Sequence, residues 1–421
     1  MRIAIIASGS RGDVEPYLAL GKGLKNAGHV VRLVAHDNFG ALVKAHGVEF
    51  WPVEGNTQDV AQSPEMRKLL EKGNFIAILS QMGKDAKNNA LAFAQGGLAA
   101  CEGMELIVAG LGGMFIGVAL AEKLNIQFMQ AHYIPFNPTR AYPSALFPNL
   151  PAFTGNSLNR VSYRLTQQMM WQGFRSADTM ARQQVLGLSK ASFWGPYRDN
   201  RFTQNPILYG YSPAVIPKPS DWDGKAQVTG YWFLDPVDDW TPPADLLEFL
   251  QAGAPPMYIG FGSMSTRNPA ETTQLIVQAL AHTQQRAILL SGWDGLRSSN
   301  LPDSIYMLDS APFSWLFPRM AAVAHHGGAG TTSAGLRAGV SSIIVPFFGD
   351  QPFWGKRIAE LGVGPAPIPH KRLTVDRLAQ AIQIAVTDQT MQQKAAELGS
   401  KICAEDGIAQ AVRVIQQLDY S

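Results

Sequence analysis

Two adjacent histidines, three glycines and two threonines stand together at His325-His326-Gly327-Gly328-Ala329-Gly330-Thr331-Thr332. They lie between a short apolar run at 321–324 and a stretch of helix-forming composition at 331–338. A glycine-rich turn that opens a helix presents backbone N–H groups at the positive end of the helix dipole, which suits a phosphate. The imidazole of His326 and the hydroxyls of Thr331 and Thr332 add donors around the same anion. The glycines carry no Cβ and let the backbone come close. A second apolar run, Ser341–Pro346, leads into Phe347-Phe348-Gly349-Asp350-Gln351, so an acid–amide pair starts 24 positions beyond His326. Near the start of the chain, Asp13 ends the turn Ser8-Gly9-Ser10-Arg11-Gly12-Asp13 after the strand-like run 2–7. A carboxylate there can serve as a general base facing a cleft, or it can cap the helix that Pro16 opens. The residues alone leave both readings open, just as a tight turn in any α/β fold remains open for the glycines.

The elements that must position these groups alternate between strand and helix. Residues 2–7 form a strand, and a helix follows with Pro16 in its first turn, running to about Ala27 and stopped by Gly28. A strand at His29–Ala35, a helix at about Phe39–His46 and a strand at about Val48–Val53 complete a βαβαβ unit. Leu106–Ala109 and Gln127–Gln130 are further strands, and their unbroken apolar character fits a parallel sheet covered on both faces. The stretch 132–205 is rich in Pro, Phe, Tyr, Trp and Met. It is either a core-packing insertion or the wall of a pocket for a large apolar ligand, with His132, Phe136, Tyr142 and Phe147 as the residues facing that ligand. SPAVIPKPSDWDGK at 212–225 holds three prolines without periodicity and reads as a linker. A second strand–helix series begins at Pro256–Gly260. It continues through Ala270–His282, Ala287–Leu290 and Ile305–Leu308 into the histidine–glycine turn, and ends in helices at about 374–387, 390–402 and 408–418. Gly262 and Ser263 end its first strand and suit phosphate contact. Trp293 and the turn Ser310-Ala311-Pro312 are candidates for holding a nucleobase.

The 421 residues suffice for two full cores, and 46% hydrophobic with 16% charged residues is the balance of a water-soluble α/β protein. A net charge of +2 gives no case for a nucleic-acid partner. Cys101 and Cys403 are far apart, so neither a disulfide framework nor a zinc site is expected, and a reducing cytoplasm fits. No cluster has metal-ligand spacing, and no apolar stretch reaches the roughly 18–20 residues of a membrane span. Peripheral contact with a membrane surface and the oligomeric state stay open.

The histidine–glycine turn with its later Asp-Gln pair resembles the donor-nucleotide signature of family 1 glycosyltransferases. The resemblance implies a GT-B fold of class α/β, with two Rossmann-like domains facing across a cleft. It implies an acceptor-binding domain at 1–215, a donor-binding domain at 226–400, and a last segment, 401–421, packing back on the first domain. It also implies that His325, His326, Gly328, Gly330, Thr331 and Thr332 surround the pyrophosphate of a nucleotide sugar, while Asp350 and Gln351 bond sugar hydroxyls. GSRGDVEPYLALGKGL looks like the opening of the sterol and glycopeptide branches, in which the Asp of Arg-Gly-Asp is the base; Asp13 takes that role here, with Ser10 and Arg11 bordering the donor phosphate. The stretches Asn137–Pro143, Ser212–Trp222 and Gly230-Tyr231-Trp232-Phe233 narrow the resemblance to sterol 3β-glucosyltransferases. Two departures stand out. Ala334 occupies the place where plant members carry a ribose-binding glutamate, and Phe136-Asn137-Pro138-Thr139-Arg140 replaces a Trp-Thr-Arg-Thr-Arg region. The implied activity is metal-independent, inverting transfer of glucose from UDP-glucose to a hydrophobic alcohol, with no cofactor beyond that co-substrate. Flavonoid or polyketide acceptors are the alternative, and a non-catalytic nucleotide-sugar-binding accessory protein is the alternative of another class.

Overall fold

A computed structural model gives the fold, and the structure describes residues 1–55, 63, 65–66, 68–69, 73–146, 155–236, 240–261, 269–290 and 301–420. The chain divides into two compact units. One comprises Met1–Met66, Phe75–Leu234 and Glu405–Ser421, and the other Arg67–Asn74 and Asp235–Ala404.

The first unit opens with β1 (Arg2–Ile6), α1 (Arg11–Asn26), β2 (Val30–His36), α2 (Gly40–Ala45) and β3 (Glu49–Val53). Then come α3 (Phe75–Asn88), α4 (Ala90–Cys101), β4 (Leu106–Ala109), α5 (Met114–Leu124) and β5 (Gln127–His132). The long α6 (Gly155–Met180) runs into a π-helical turn at Ala181–Leu186. It is followed by α7 (Asn200–Thr203), β6 (Ile207–Tyr209) and β7 (Ala226–Val228). All seven strands are parallel, in the order β3-β2-β1-β4-β5-β6-β7. Ile3 to Ile6 are wholly buried, as a strand covered on both faces requires. Each of the three isoleucines contributes about 1.5–3 kcal/mol on burial.

The second unit contains α8 (Ala244–Gln251), β8 (Met257–Gly260), α9 (Pro269–Thr283), β9 (Ala287–Leu290), β10 (Ile305–Leu308) and α10 (Phe313–Leu316). It continues with β11 (Ala322–His325), α11 (Ala329–Arg337), β12 (Ser341–Ile344), α12 (Gln351–Leu361), α13 (Val375–Thr387) and α14 (Gln389–Cys403). Its sheet is also parallel, in the order β10-β9-β8-β11-β12. The last helix, α15 (Gly407–Gln416), belongs to the first unit. It lies against α1 so closely that a Cβ on Gly23 would stand 2.1 Å from Ile408 Cγ2.

Two expectations change. The proline-rich stretch 212–225 is not a linker but part of the first unit, with Ser212, Val215, Ile216 and Trp222 buried. Thr139 Oγ1 donates to Asp221 Oδ1 at 2.6 Å, and the Trp222 ring stacks on Tyr209 at 4.6 Å. Prolines there signal irregular backbone, which a core can hold as well as solvent can, and the division falls at Leu234–Asp235. Pro16 is not in the first helical turn either. Ser10 caps α1, so the proline sits inside the helix, five residues beyond its first position, Arg11.

Candidate functional site

In each sheet the strand order reverses beside the first strand of its unit, between β1 and β4 and between β8 and β11. Loops leaving the carboxyl ends of such strands diverge and open a crevice. Asp13 follows β1, and the histidine–glycine turn follows β11.

Around β1, Asp13 is the third residue of α1 rather than a loop residue. Its Oδ2 accepts from the Ser10 amide at 2.6 Å and from Ser10 Oγ at 2.8 Å. Its Oδ1 accepts from the Tyr133 hydroxyl. Asp13 is thus the acidic partner of a capping box whose N-cap is Ser10, which is the helix-start reading of the residue. A carboxylate offers about four lone-pair sites, and three donors leave about one. Gly9 is at φ +146, and a Cβ there would meet Asp13 Oδ2 at 2.4 Å. The loop after β4 closes on this turn, for a Cβ on Gly112 would lie 1.8 Å from the Ser8 carbonyl oxygen. From β2, the buried His36 reaches Ser8 Oγ through Nε2 at 3.0 Å. One turn beyond Asp13, Tyr17 donates to the Ala131 carbonyl at 2.6 Å. Burial, and then the Asp13 carboxylate, raise its phenol well above the usual range.

The neighbours proposed from sequence are placed otherwise. Ser10, the N-cap of α1, gives both its amide and its hydroxyl to Asp13, and Arg11 turns along the helix to an exposed ion pair with Glu15 at 2.6 Å. His132 is 0% exposed. It bonds Gln130 Oε1 through Nε2 at 3.1 Å, and its ring centroid lies 4.9 Å from that of Phe136, itself buried. Both are core residues here, because β5 turns residue 132 inward. Tyr133, next in the chain, faces Asp13 instead; the alternation of side chains along a strand was the signal available for it. Tyr142 is half-buried, and Phe147 lies outside the described residues.

Around β11, His325 is fully buried and accepts from the Gly327 amide through Nδ1 at 3.0 Å, so it shapes the turn from within instead of facing a ligand. His326 follows and is half-buried. A Cβ on Gly328 would stand 2.5 Å from His326 Nε2, so that glycine makes room for the ring. Gly327, at φ +90, packs on the second motif: a Cβ there would meet Ile344 Cγ2 at 2.5 Å and the Gln351 carbonyl oxygen at 3.2 Å. The turn and the Asp-Gln pair are thus adjacent. Gly328 is the N-cap of α11, and the amides of Ala329, Gly330 and Thr331 form its first turn, where no helical acceptor exists. Thr331 is half-buried, whereas Thr332 is fully buried, with no partner for Oγ1 among the described residues. Its side chain belongs to the packed face of α11. Asp350 N-caps α12 and accepts from Trp354 Nε1 at 2.8 Å. Gln351 Oε1 accepts from the amides of Phe347 and Phe348 at 2.8 and 3.2 Å, which fixes the loop after β12. Ser310 is exposed and Ala311 half-buried at the end of β10, three strands and roughly 14 Å from β11. Gly262, Ser263 and Trp293 lie outside the described residues. Among the described residues no group of three His, Cys, Asp or Glu could hold a metal ion.

Burial lowers the imidazoles. His326 falls to about 4 and His132 to about 3, while His325, depressed also by His326, and His36 shift the same way. In the unfolded chain these rings titrate near 6.5. Between that value and the folded ones, the unfolded state binds more protons, so stability is full above about pH 6.5 and declines as pH falls toward 4. A histidine that is neutral in the folded chain and protonated in the unfolded one contributes a slope of at most about 1.4 kcal/mol per pH unit. The thermal midpoint is expected to drop clearly between pH 7 and pH 5; an unchanged midpoint would contradict neutral buried rings.

Residues 3–143 match the model of the "Glycosyltransferase family 28 N-terminal domain", and residues 274–418 match "Erythromycin biosynthesis protein CIII-like, C-terminal domain". The chain is 37% identical over 435 residues to a sterol 3-beta-glucosyltransferase of Aspergillus terreus, covering 100% of this chain and 30% of that one. It is 36% identical to the sterol 3-beta-glucosyltransferase UGT80B1 of Arabidopsis thaliana, covering 98% of this chain and 67% of that one. It therefore spans less than a third of the fungal relative's length. Among solved structures, the glycotransferase of kitacinnamycin superposes with a TM-score of 0.72 at 18% identity, covering 99% of this chain and 98% of that one. The calicheamicin glycosyltransferase CalG4 does so at 0.69 and 17%, with the same coverage. These likenesses give the fold, that of the GT-B glycosyltransferases.

Proposed function

The chain belongs to the family 1 glycosyltransferases, and on that premise we propose that it moves glucose from UDP-glucose to the 3β-hydroxyl of a sterol. The observation that carries this reading is the alignment of nearly the whole chain with sterol 3-beta-glucosyltransferases at 36–37% identity. The geometry agrees with it, since one carboxylate and one glycine-rich helix start stand at the two switch points.

In the proposed reaction the acceptor hydroxyl gives its proton to Asp13, using the lone-pair site that Ser10 and Tyr133 leave open. The oxygen forms a bond to the anomeric carbon as the bond from that carbon to the diphosphate oxygen breaks. The electron pair leaves with UDP, and configuration inverts. The growing charge on the diphosphate meets the first-turn amides of α11 and the neutral His326, which act without a metal ion in this proposal. The loop that Gln351 braces, with Asp350 beside it, reads the sugar. Ser310 and Ala311 lie on the nucleobase side.

Other acceptors of natural-product type are the second reading, favoured by the fold likeness to antibiotic glycosyltransferases. A screen of UDP- and TDP-sugars against sterols and flavonoids, followed by UDP or TDP release, separates the cases. UDP release that depends on a sterol is expected. Release driven only by flavonoids would move the acceptor class, and no alcohol-dependent release at all would leave a nucleotide-sugar-binding protein. No helix among the described residues is long and apolar enough to cross a membrane.

A further inference from the structure

One face of α6 is apolar yet open to solvent. Leu158, Val161 and Leu165 follow each other at helical spacing and are 45%, 43% and 57% exposed. The opposite side of the same helix is core, with Tyr163, Thr166, Met170 and Trp171 buried. The open face continues through Gln168 and Gln172, whose Nε2 groups donate to the Phe193 carbonyl at 3.2 and 2.8 Å. Trp171 Nε1 donates to the same carbonyl at 3.0 Å. These bonds clamp the following loop along the helix, and it presents Phe193 and Trp194 edge-to-face at 5.3 Å, 53% and 65% exposed. The Arg175 guanidinium lies 5.0 Å over the Phe193 ring.

Along this segment the exposed charges are mostly positive. Between 157 and 201 the exposed ionisable residues are Arg160, Arg164, Lys190, Arg198 and Asp199; Asp199 is occupied in capping α7, and outside this stretch the exposed Asp221 carboxylate lies near Arg160. Contiguous apolar surface is rare on a soluble monomer and marks an interaction site. Exposed Phe and Trp bordered by arginines fit the headgroup level of a bilayer. A second copy fits less well, because a two-fold contact would set Arg160 and Arg164 near their own copies.

We propose that this face of α6, with Phe193 and Trp194, docks the protein on an anionic phospholipid surface, the helix lying in the plane of the interface. The proposal stands on these residues alone and does not depend on which acceptor the enzyme uses.

The test is co-sedimentation of the full chain with phosphatidylcholine vesicles, with and without phosphatidylserine, alongside light scattering. Wild-type protein is expected to sediment with the phosphatidylserine vesicles and to be released by salt. A Phe193→Ser/Trp194→Ser variant should lose about tenfold or more in partitioning. Arg160→Gln and Arg164→Gln should each lose roughly fivefold, on the anionic vesicles only. Circular dichroism checks the fold; should the aromatic double variant fail it, Leu165→Gln, one exposed substitution, carries the same expectation of weaker binding. Wild-type protein left in the supernatant with both vesicles would overturn the proposal. So would variants that sediment like wild type, or a dimer in light scattering that the aromatic substitutions dissociate.

Discussion

Asp13→Asn is expected to lower kcat by roughly 10²-fold or more while leaving the affinity for UDP within a few-fold. The amide has the size of the carboxylate but cannot take the acceptor proton. The structure adds a complication that the experiment must separate. Asp13 also receives three donors, from the Ser10 amide, Ser10 Oγ and the Tyr133 hydroxyl, and an Asn oxygen cannot accept them all. The variant should therefore also lose about 1–3 kcal/mol of stability. Ser10→Ala removes part of the cap and leaves the base, so it should cost about 1 kcal/mol of stability and less than tenfold in turnover. Equal loss of turnover in both variants would make Asp13 a cap alone, and His36, bonded to Ser8 in the same turn, would become the residue to test.

His326→Ala is expected to slow transfer from every sugar nucleotide, with kcat falling more than the affinity for the donor. The diphosphate gains charge as the glycosidic bond breaks, so a donor held beside it acts more in the transition state than in the bound complex. Gln351→Ala works through another route. Its Oε1 holds the amides of Phe347 and Phe348, and its loss leaves two donors unpaired and the loop after β12 loose. The expected result is a changed ratio of turnover with UDP-glucose and UDP-galactose, with UDP affinity by calorimetry nearly unchanged. A switch of sugar preference in His326→Ala, or loss of UDP binding in Gln351→Ala, would reverse the assignment.

Much of the framework was legible because parallel strands buried on both faces leave unbroken apolar runs. Leu106–Ala109, Ala287–Leu290 and Ile305–Leu308 are read to the residue. Two glycines of the histidine turn were legible for a similar reason: another group occupies the space of a Cβ, Ile344 for Gly327 and the His326 ring for Gly328. The direction of individual side chains was not. His325 and Thr332 point inward, and Tyr133 rather than His132 reaches Asp13, since composition cannot say which face of a strand or helix meets the core. The stretch 212–225 misled because its buried apolar residues carry no period.

The central claim is tested most directly by the product formed from UDP-glucose and a sterol, isolated and read by proton NMR for linkage and anomeric configuration. The account predicts one glucose on the 3β-oxygen in β configuration, the inverse of the donor. An α-glucoside, or glucose released only to water, would contradict it.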